Sequence, residues 1–214
     1  MPNIIAVDIG TSRIKCAFFD EKGRMRNLRS RRLARAASPN LQDALVWSRT
    51  TASLLRELTA GLNLPADAVA VTGNMHALLP VDTDGLPLAP AVLWSDNSAS
   101  GESDFLNRRY GETLYEKFGN SSIPVFTLPK ILRMKKESPA LYEQTNKFLQ
   151  SKDFISYFLT GHFVTDPSDA SGTLLMELEN SNWSDELLDD LELDSEKLPD
   201  ILPSASICGK VTSE

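Results

Sequence analysis

The chain has 214 residues, of which 42% are apolar and 24% charged, with a formal net charge of -7. That length fits one large domain or two small ones around a sizeable core. The acidic balance argues against a nucleic-acid binder, whose footprint is basic. Two cysteines, Cys16 and Cys208, stand far apart without metal-ligand spacing, so neither a disulfide framework nor a zinc site is expected. No apolar run is long enough to span a bilayer and the N-terminus lacks the features of a signal peptide, which reads as a soluble, cytoplasmic protein.

In sequence order, residues 4–8, 14–20 and about 25–34 read as three strands of an antiparallel meander, joined by the short turns "GTS" and "DEKG". A basic run, Lys22, Arg24, Arg26, Arg29, Arg31, Arg32 and Arg35, accompanies the third strand and reads as a solvated face or a protected sheet edge. From Leu41 to Leu62, leucines at spacings of mainly three and four predict an amphipathic helix ended by Gly61 and Pro65. A fourth strand is expected at 69–72. The stretch "LLPVDTDGLPLAPAVLW" follows as two apolar runs joined by Asp84-Gly85, a hairpin signal.

From about residue 98 the pattern is mostly helical. Thr127, Ser151 and Ser184 are expected helix caps, Gly161 a helix stop, and the acidic stretch Asp185–Asp200 an exposed helix. The final "LPSASICGKVTSE" begins like another strand and breaks off. No internal repeat, low-complexity tract or linker is evident.

The opening stretch "IIAVDIGTSRIK" carries the chemistry. Asp8 closes a strand-like run, where an ionised carboxylate needs a reason to be held. Gly10 allows a tight turn and close approach of backbone to a ligand, and Thr11 and Ser12 add hydroxyls and N–H groups. Successive backbone donors, with Arg13 and Lys15 nearby, make an anion-binding concavity. Asp8 conflicts with an anion unless a magnesium ion joins the two, because Mg²⁺ takes carboxylate and phosphate oxygens together. The residues therefore read either as a site for Mg²⁺ and a polyphosphate or as a plain hairpin turn. The P-loop pattern is absent.

"VDIGTSRIK" resembles the first phosphate-binding segment of the sugar kinase, actin and Hsp70 superfamily of ATPases. "VTGNMHALLPVDTDGLPLAPAVLWSDNSA", "FTLPKILRMKKESPALY", "SKDFISYFLTG" and "TDPSDASGTLLME" follow in order and resemble the N-terminal half of the FGGY carbohydrate kinases, most similar to the xylulokinases. The resemblance implies an α/β, ribonuclease-H-like domain of the actin/hexokinase/Hsp70 superfamily, with a mixed sheet flanked by helices and incomplete at its C-terminus. It implies transfer of ATP's γ-phosphoryl group, with Mg²⁺, to a sugar hydroxyl. The expected partner is a small-molecule sugar, with no nucleic acid or membrane, and a homodimer is kept open as the assembly.

Residue by residue, Asp8 matches the family's magnesium-associated aspartate and Gly10, Thr11 and Ser12 its phosphate turn. Lys15 stands where the family usually has a cation, and reads equally as a surface residue. Met75 and His76 match the pair that xylulokinases place against the sugar. A thioether suits a C–H face, and an imidazole can donate to and accept from hydroxyls. Trp94 and Asp96 lie in "LWSDNSA", which resembles a Trp-Asn-Asp-x-Arg segment. Ser95 replaces its asparagine and Ser98 its arginine, which weakens any reading of which sugar is bound. Asp166, Ser168 and Asp169 read as helix caps, the Trp183 region as core and cap, and His162 as structural.

The family's general base is an aspartate in a Gly-rich segment beyond the matched region, and nothing in these 214 residues resembles it. The expectation is thus an N-terminal sugar-binding domain over 1–214, without its ATP-binding domain and inactive alone. A gluconate kinase of the same family is the near alternative. A non-catalytic ATP switch of the Hsp70 or actin type, or an interaction module, are the distant ones.

Overall fold

The computed structural model describes residues 2–34, 38–62 and 65–212. Its centre is a four-stranded sheet in the order β3-β2-β1-β5. Strands β1 (Ile4–Ile9), β2 (Arg13–Phe19) and β3 (Met25–Arg32) form the expected antiparallel meander. After β4 (Leu41–Gln42) and α1 (Ala44–Thr59), β5 (Ala68–Gly73) returns parallel to β1, with Asp8 opposite Thr72 and Ile9 opposite Gly73. The side-chain alternation of a strand explains the layering. Ile5, Val7 and Ile9 of β1 and Ile14, Cys16 and Phe18 of β2 are buried in a core shared with Trp47, Leu54 and Leu58 of α1. Asp8 has the opposite parity and stays outside that core, half-exposed at the strand's end.

The basic run behaves as the protected edge that the sequence suggests. β3 is the outer strand, Arg26 pairs with Asp20 at 2.6 Å and Arg31 with Glu57 at 2.5 Å. Arg35 lies outside the described residues.

Helix α1 starts later than its leucine spacing predicts. Leu41 and Gln42 pair instead with β7 (Ala91–Val92). Asp43 keeps an extended backbone and caps the helix by accepting from the Leu45 N–H at 2.9 Å. β6 (Leu79–Val81) precedes the Asp84-Gly85 turn, where the Asp82 carboxylate accepts from the N–H groups of Asp84 and Leu86. Bridges Leu78–Val92 and Val81–Pro87 join the two arms.

The rest is largely helical: α2 (Ser100–Phe118), α3 (Thr127–Glu137), α4 (Pro139–Gln144), α5 (Ser151–Thr160), α6 (Pro167–Ser171) and α7 (Asp185–Asp190). Two-residue strands β9 (Val164–Thr165) and β10 (Asp200–Ile201) pair with each other, and β8 (Lys147–Leu149) pairs with β6. A second core of Leu106, Leu114, Leu128, Ile131, Leu174, Leu187 and Leu188 fills the space between these helices. No helix of the described residues is long and apolar enough to cross a membrane.

Several expected caps are displaced. Thr127 is the first helical residue of α3, not its cap, and its buried hydroxyl has no partner among the described residues. Gln150, not Ser151, caps α5 in a reciprocal box with Asp153, which leaves the Ser151 hydroxyl to donate to the Asn74 carbonyl. Ser184 occupies a cap position but gives its hydroxyl to Glu177. Gly161 does end α5, in the left-handed conformation. The acidic stretch is α-helical only to Asp190 and resumes as a single 3-10 turn at Ser195–Lys197, because Glu192 is left-handed (φ 53°) and Leu193 and Leu198 turn into the second core. The terminal strand lies at 200–201, before the stretch expected to supply it, and Thr212 only touches α5 through the Leu159 carbonyl.

Candidate functional site

Three loops converge where parallel β1 and β5 end, the place where open α/β sheets leave a crevice. The first is the turn after β1. The Gly10 N–H donates to the Arg13 carbonyl at 3.0 Å, and a Cβ on Gly10 would stand 2.9 Å from that oxygen. The glycine is thus required by the turn's own closure. Its N–H is consumed there and is not offered to a ligand, whereas the N–H groups of Thr11 and Ser12 have no partner among the described residues. The Thr11 carbonyl accepts from the Gln42 amide, whose oxygen takes the indole N–H of buried Trp47 at 2.7 Å. The Ser12 carbonyl accepts from the Leu33 N–H at 3.0 Å. The turn is anchored from behind and keeps its donors in front.

Asp8 and Lys15 are cross-strand neighbours, with Nζ 3.0 Å from Oδ2 and both side chains about half-exposed. Such a pair contributes about 0–1 kcal/mol and exchanges readily. Among the described residues no three His, Cys, Asp or Glu side chains gather to hold a metal. A single carboxylate suits Mg²⁺ that arrives on a polyphosphate, which needs only one or two protein carboxylates besides waters and phosphate. It does not suit a resident structural ion.

The second loop follows β5. Asn74 donates both its N–H (2.8 Å) and its side-chain amide (3.1 Å) to the Ile9 carbonyl, so the two strand tips are joined. Met75 then stands 58% exposed beside His76. His76 has a left-handed backbone, φ 62°, held on every side. Its N–H donates to Gln150 Oε1 at 2.7 Å, its carbonyl accepts from Lys130 Nζ at 2.7 Å, and Phe126 meets its ring edge-on at 4.9 Å. Ring nitrogen Nδ1 lies 2.8 Å from the Gly172 carbonyl. A carbonyl only accepts, so Nδ1 carries the proton. Burial holds the histidine below its ordinary pKa of 6.5, and the Lys130 charge pushes the same way against the Gly172 contact. Neutral His76 therefore presents Nε2 as an acceptor, which narrows the dual role expected from the sequence. Gly172 must lack a side chain, because a Cβ there would lie 2.7 Å from His76 Cε1.

The third loop carries Trp94 and Asp96. The half-exposed Trp94 indole donates to Thr11 Oγ1 at 3.1 Å. Asp96 Oδ1 accepts from the N–H and hydroxyl of Ser98, and Ser95 donates to Asn40 at 3.0 Å. Both serines that depart from the family pattern are thus used in folding the loop, and Asp96 holds its shape.

Sequence reasoning missed two residues that organise these loops. Lys130, 4% exposed, donates to the carbonyls of His76 (2.7 Å) and Leu93 (2.9 Å). Burial lowers its pKa to about 8. Its signal was a lysine between Leu128 and Ile131 on the apolar side of an amphipathic helix. Gln150 links His76 to the Asp169 carbonyl at 2.8 Å, and a glutamine in that position carried no sequence signal.

Asp169 is no cap. Asp166 caps α6, accepting from the Asp169 N–H, while Ser168 gives its carbonyl to Ser171. Lys152 lies 2.9 Å from Asp153, 3.0 Å from Asp166 and 3.5 Å from Asp169. Burial pushes Asp169 up to about 6 although Lys152 opposes it. His162 is exposed at the far end of α5 from Gln150, about 15 Å along a ten-residue helix. Trp183 is half-buried against the second core and donates to the Pro199 carbonyl, in keeping with a core role. Cys16 is buried, which pushes its thiol up to about 12.

A mixed sheet with flanking helices, and three loops meeting beyond the ends of its parallel strands, defines an α/β domain. The chain belongs to the FGGY family of carbohydrate kinases: the model of that family's N-terminal domain matches residues 3–214. It is 31% identical over 221 residues to a xylulose kinase of Lactococcus lactis, covering all of this chain and 44% of that protein. The crystal structure of a ligand-bound xylulose kinase from Lactobacillus acidophilus superposes with a TM-score of 0.91 at 25% identity, over 100% of this chain and 44% of that one. A gluconate kinase from Lactobacillus acidophilus matches with the same TM-score and identity, over 99% of this chain and 44% of that one. The chain spans somewhat under half the length of the relatives it matches.

Proposed function

We propose that residues 1–214 form the sugar-binding domain of an ATP-dependent ketopentose kinase, with D-xylulose the favoured acceptor. The observation that carries this reading is the fixed, neutral His76. Its Nδ1–H is committed to Gly172, which leaves Nε2 as an acceptor, and it follows exposed Met75 on a loop fastened to the end of β1. A sugar hydroxyl donating to Nε2, with the sugar's C–H groups resting on the Met75 thioether, would be oriented by two different kinds of contact. Trp94 would wall the same crevice, while Asp96 keeps its loop in place.

On the nucleotide side, the free N–H groups of Thr11 and Ser12 would receive phosphate oxygens, and Lys15 would leave Asp8 to neutralise them. Asp8 would orient the waters of the phosphate-borne cation. Bound Mg²⁺-ATP supplies the phosphoryl group and the charge neutralisation that transfer requires. The proton of the attacking hydroxyl needs a base. We assign that role to an aspartate of a C-terminal, ATP-binding domain outside these residues, so this domain alone binds sugar weakly and transfers no phosphate. A cytoplasmic location accords with such metabolism.

Calorimetry of the 214-residue protein with D-xylulose, D-ribulose, L-ribulose, glycerol and gluconate tests the reading. Heat with a ketopentose, lost in His76→Ala, is the expected result. Heat with gluconate alone would favour the gluconate branch, which the equally good superposition on a gluconate kinase supports. Silence with every compound would return the protein to an interaction module. Robust ATP-dependent phosphorylation by these residues alone would overturn the assignment of the base.

A further inference from the structure

We propose that Lys130 is a positioning residue whose buried ammonium ties the His76 loop to the Trp94 loop and so sets the width of the crevice between them. Part of this rests on the reading that these loops receive a sugar. The tether itself does not.

A lysine ammonium is costly to remove from water, and an aliphatic side chain would fill the same volume without that cost. What distinguishes the ammonium is its set of three donors. One reaches the His76 carbonyl at 2.7 Å and another the Leu93 carbonyl at 2.9 Å, contacts that lie 54 and 37 residues away in the sequence. Both carbonyls are at pivots. His76 has the left-handed backbone that aims its ring, and the Leu93 oxygen also accepts the Asp96 N–H at 3.1 Å, closing the turn that carries Trp94. The same turn brings the Asp96 charge towards the ammonium, which favours its charged form. Helix α3, packed into the second core through Leu128 and Ile131, provides the fixed base. A lysine serving only to fill that core would need neither carbonyl.

The test uses the full 214-residue protein with Lys130→Met, which keeps the side chain's length and removes its donors. Quenching by acrylamide reports on Trp94, because Trp47 is fully buried and Trp183 half-buried, and Trp94→Phe identifies its share. With circular dichroism unchanged, Lys130→Met is expected to raise the quenching of Trp94 about twofold and to weaken D-xylulose binding about tenfold, the scale of a lost charged hydrogen bond. Unchanged Trp94 quenching in folded Lys130→Met overturns the tether. If the wild type binds no sugar while the variant still loosens Trp94, the tether stands and the sugar reading falls. Should Lys130→Met fail to fold, nitrogen-resolved NMR of the wild type decides. A slowly exchanging Lys130 Nζ–H signal is expected, and its absence overturns the proposal.

Discussion

The Trp94 indole donates to the Thr11 hydroxyl at 3.1 Å across 83 residues of sequence, joining the loop of one half of the crevice to the turn of the other. The bond leaves the Thr11 O–H free to donate forward. Trp94→Phe and Thr11→Val should each cost about 1 kcal/mol of stability, with a coupling of about 0.5–1.5 kcal/mol in a double-mutant cycle. Chemical denaturation of the four proteins measures it, and strict additivity would show that the bond is absent in solution.

The role proposed for Asp8 separates stability from chemistry. Its partner Lys15 is half-exposed, so Asp8→Asn should change the unfolding free energy by less than about 1 kcal/mol. In a full-length protein with the proposed kinase activity, the same change should lower kcat by at least about a hundredfold if the carboxylate orients the cation of the nucleotide. A steady-state assay with D-xylulose and Mg²⁺-ATP decides.

If His76 accepts from a sugar hydroxyl as proposed, it sets a pH dependence for sugar binding. Its folded-state pKa lies below 6.5, so Nε2 is an acceptor throughout the neutral range. Affinity for D-xylulose should be flat above pH 6.5 and fall only on the acid side, where a proton on Nε2 removes the acceptor. The lowered pKa also means that the folded state binds the proton less well than the unfolded one, so stability declines as pH drops below 6.5. Calorimetry across this range checks the sign, and an affinity that rises on acidification would exclude the acceptor role.

Gly172→Ala should disturb the same ring. The added methyl would meet His76 Cε1 at 2.7 Å, and in this half-buried setting the cost falls towards the lower end of the about 1–3 kcal/mol that overpacking a core carries. The expected outcome is a lower melting temperature together with weaker sugar binding, both read on the 214-residue protein.

Asp169 makes the opposite contribution to acid stability. Burial raises its carboxyl to about 6 from the usual 3.8. The folded state holds that proton more tightly, so the favourable contribution is complete below 3.8 and disappears as pH rises through 6, an effect of about 3 kcal/mol at most. Asp169→Asn should therefore gain on the wild type between pH 4 and pH 7. Melting temperatures of the two proteins over that interval provide the comparison.

The strands of the central sheet were legible because their signals are local: alternation in β1 and β2, short turns, and a basic outer strand. The same held for Asp8, whose parity in β1 separates it from Ile5, Val7 and Ile9. Caps were less legible, since the choice between Gln150 and Ser151 depends on the Asn74 carbonyl, which arrives from 77 residues away. Leu41 fits the helical spacing of its neighbours, yet a partner strand at Ala91–Val92 takes it into a sheet. Lys130 was hidden for a related reason. A cation on an apolar helix face announces that something must satisfy it, and only the folded protein reveals that two carbonyls do.

The Ile9 oxygen takes both Asn74 donors, at 2.8 and 3.1 Å, so the tips of the first and fifth strands behave as one hinge plate. Separating the Met75–His76 segment from the turn at Gly10 would break both of these bonds. If a sugar and a nucleotide bind on either side of this plate as proposed, any effect of one on the affinity of the other is matched by an equal effect in return.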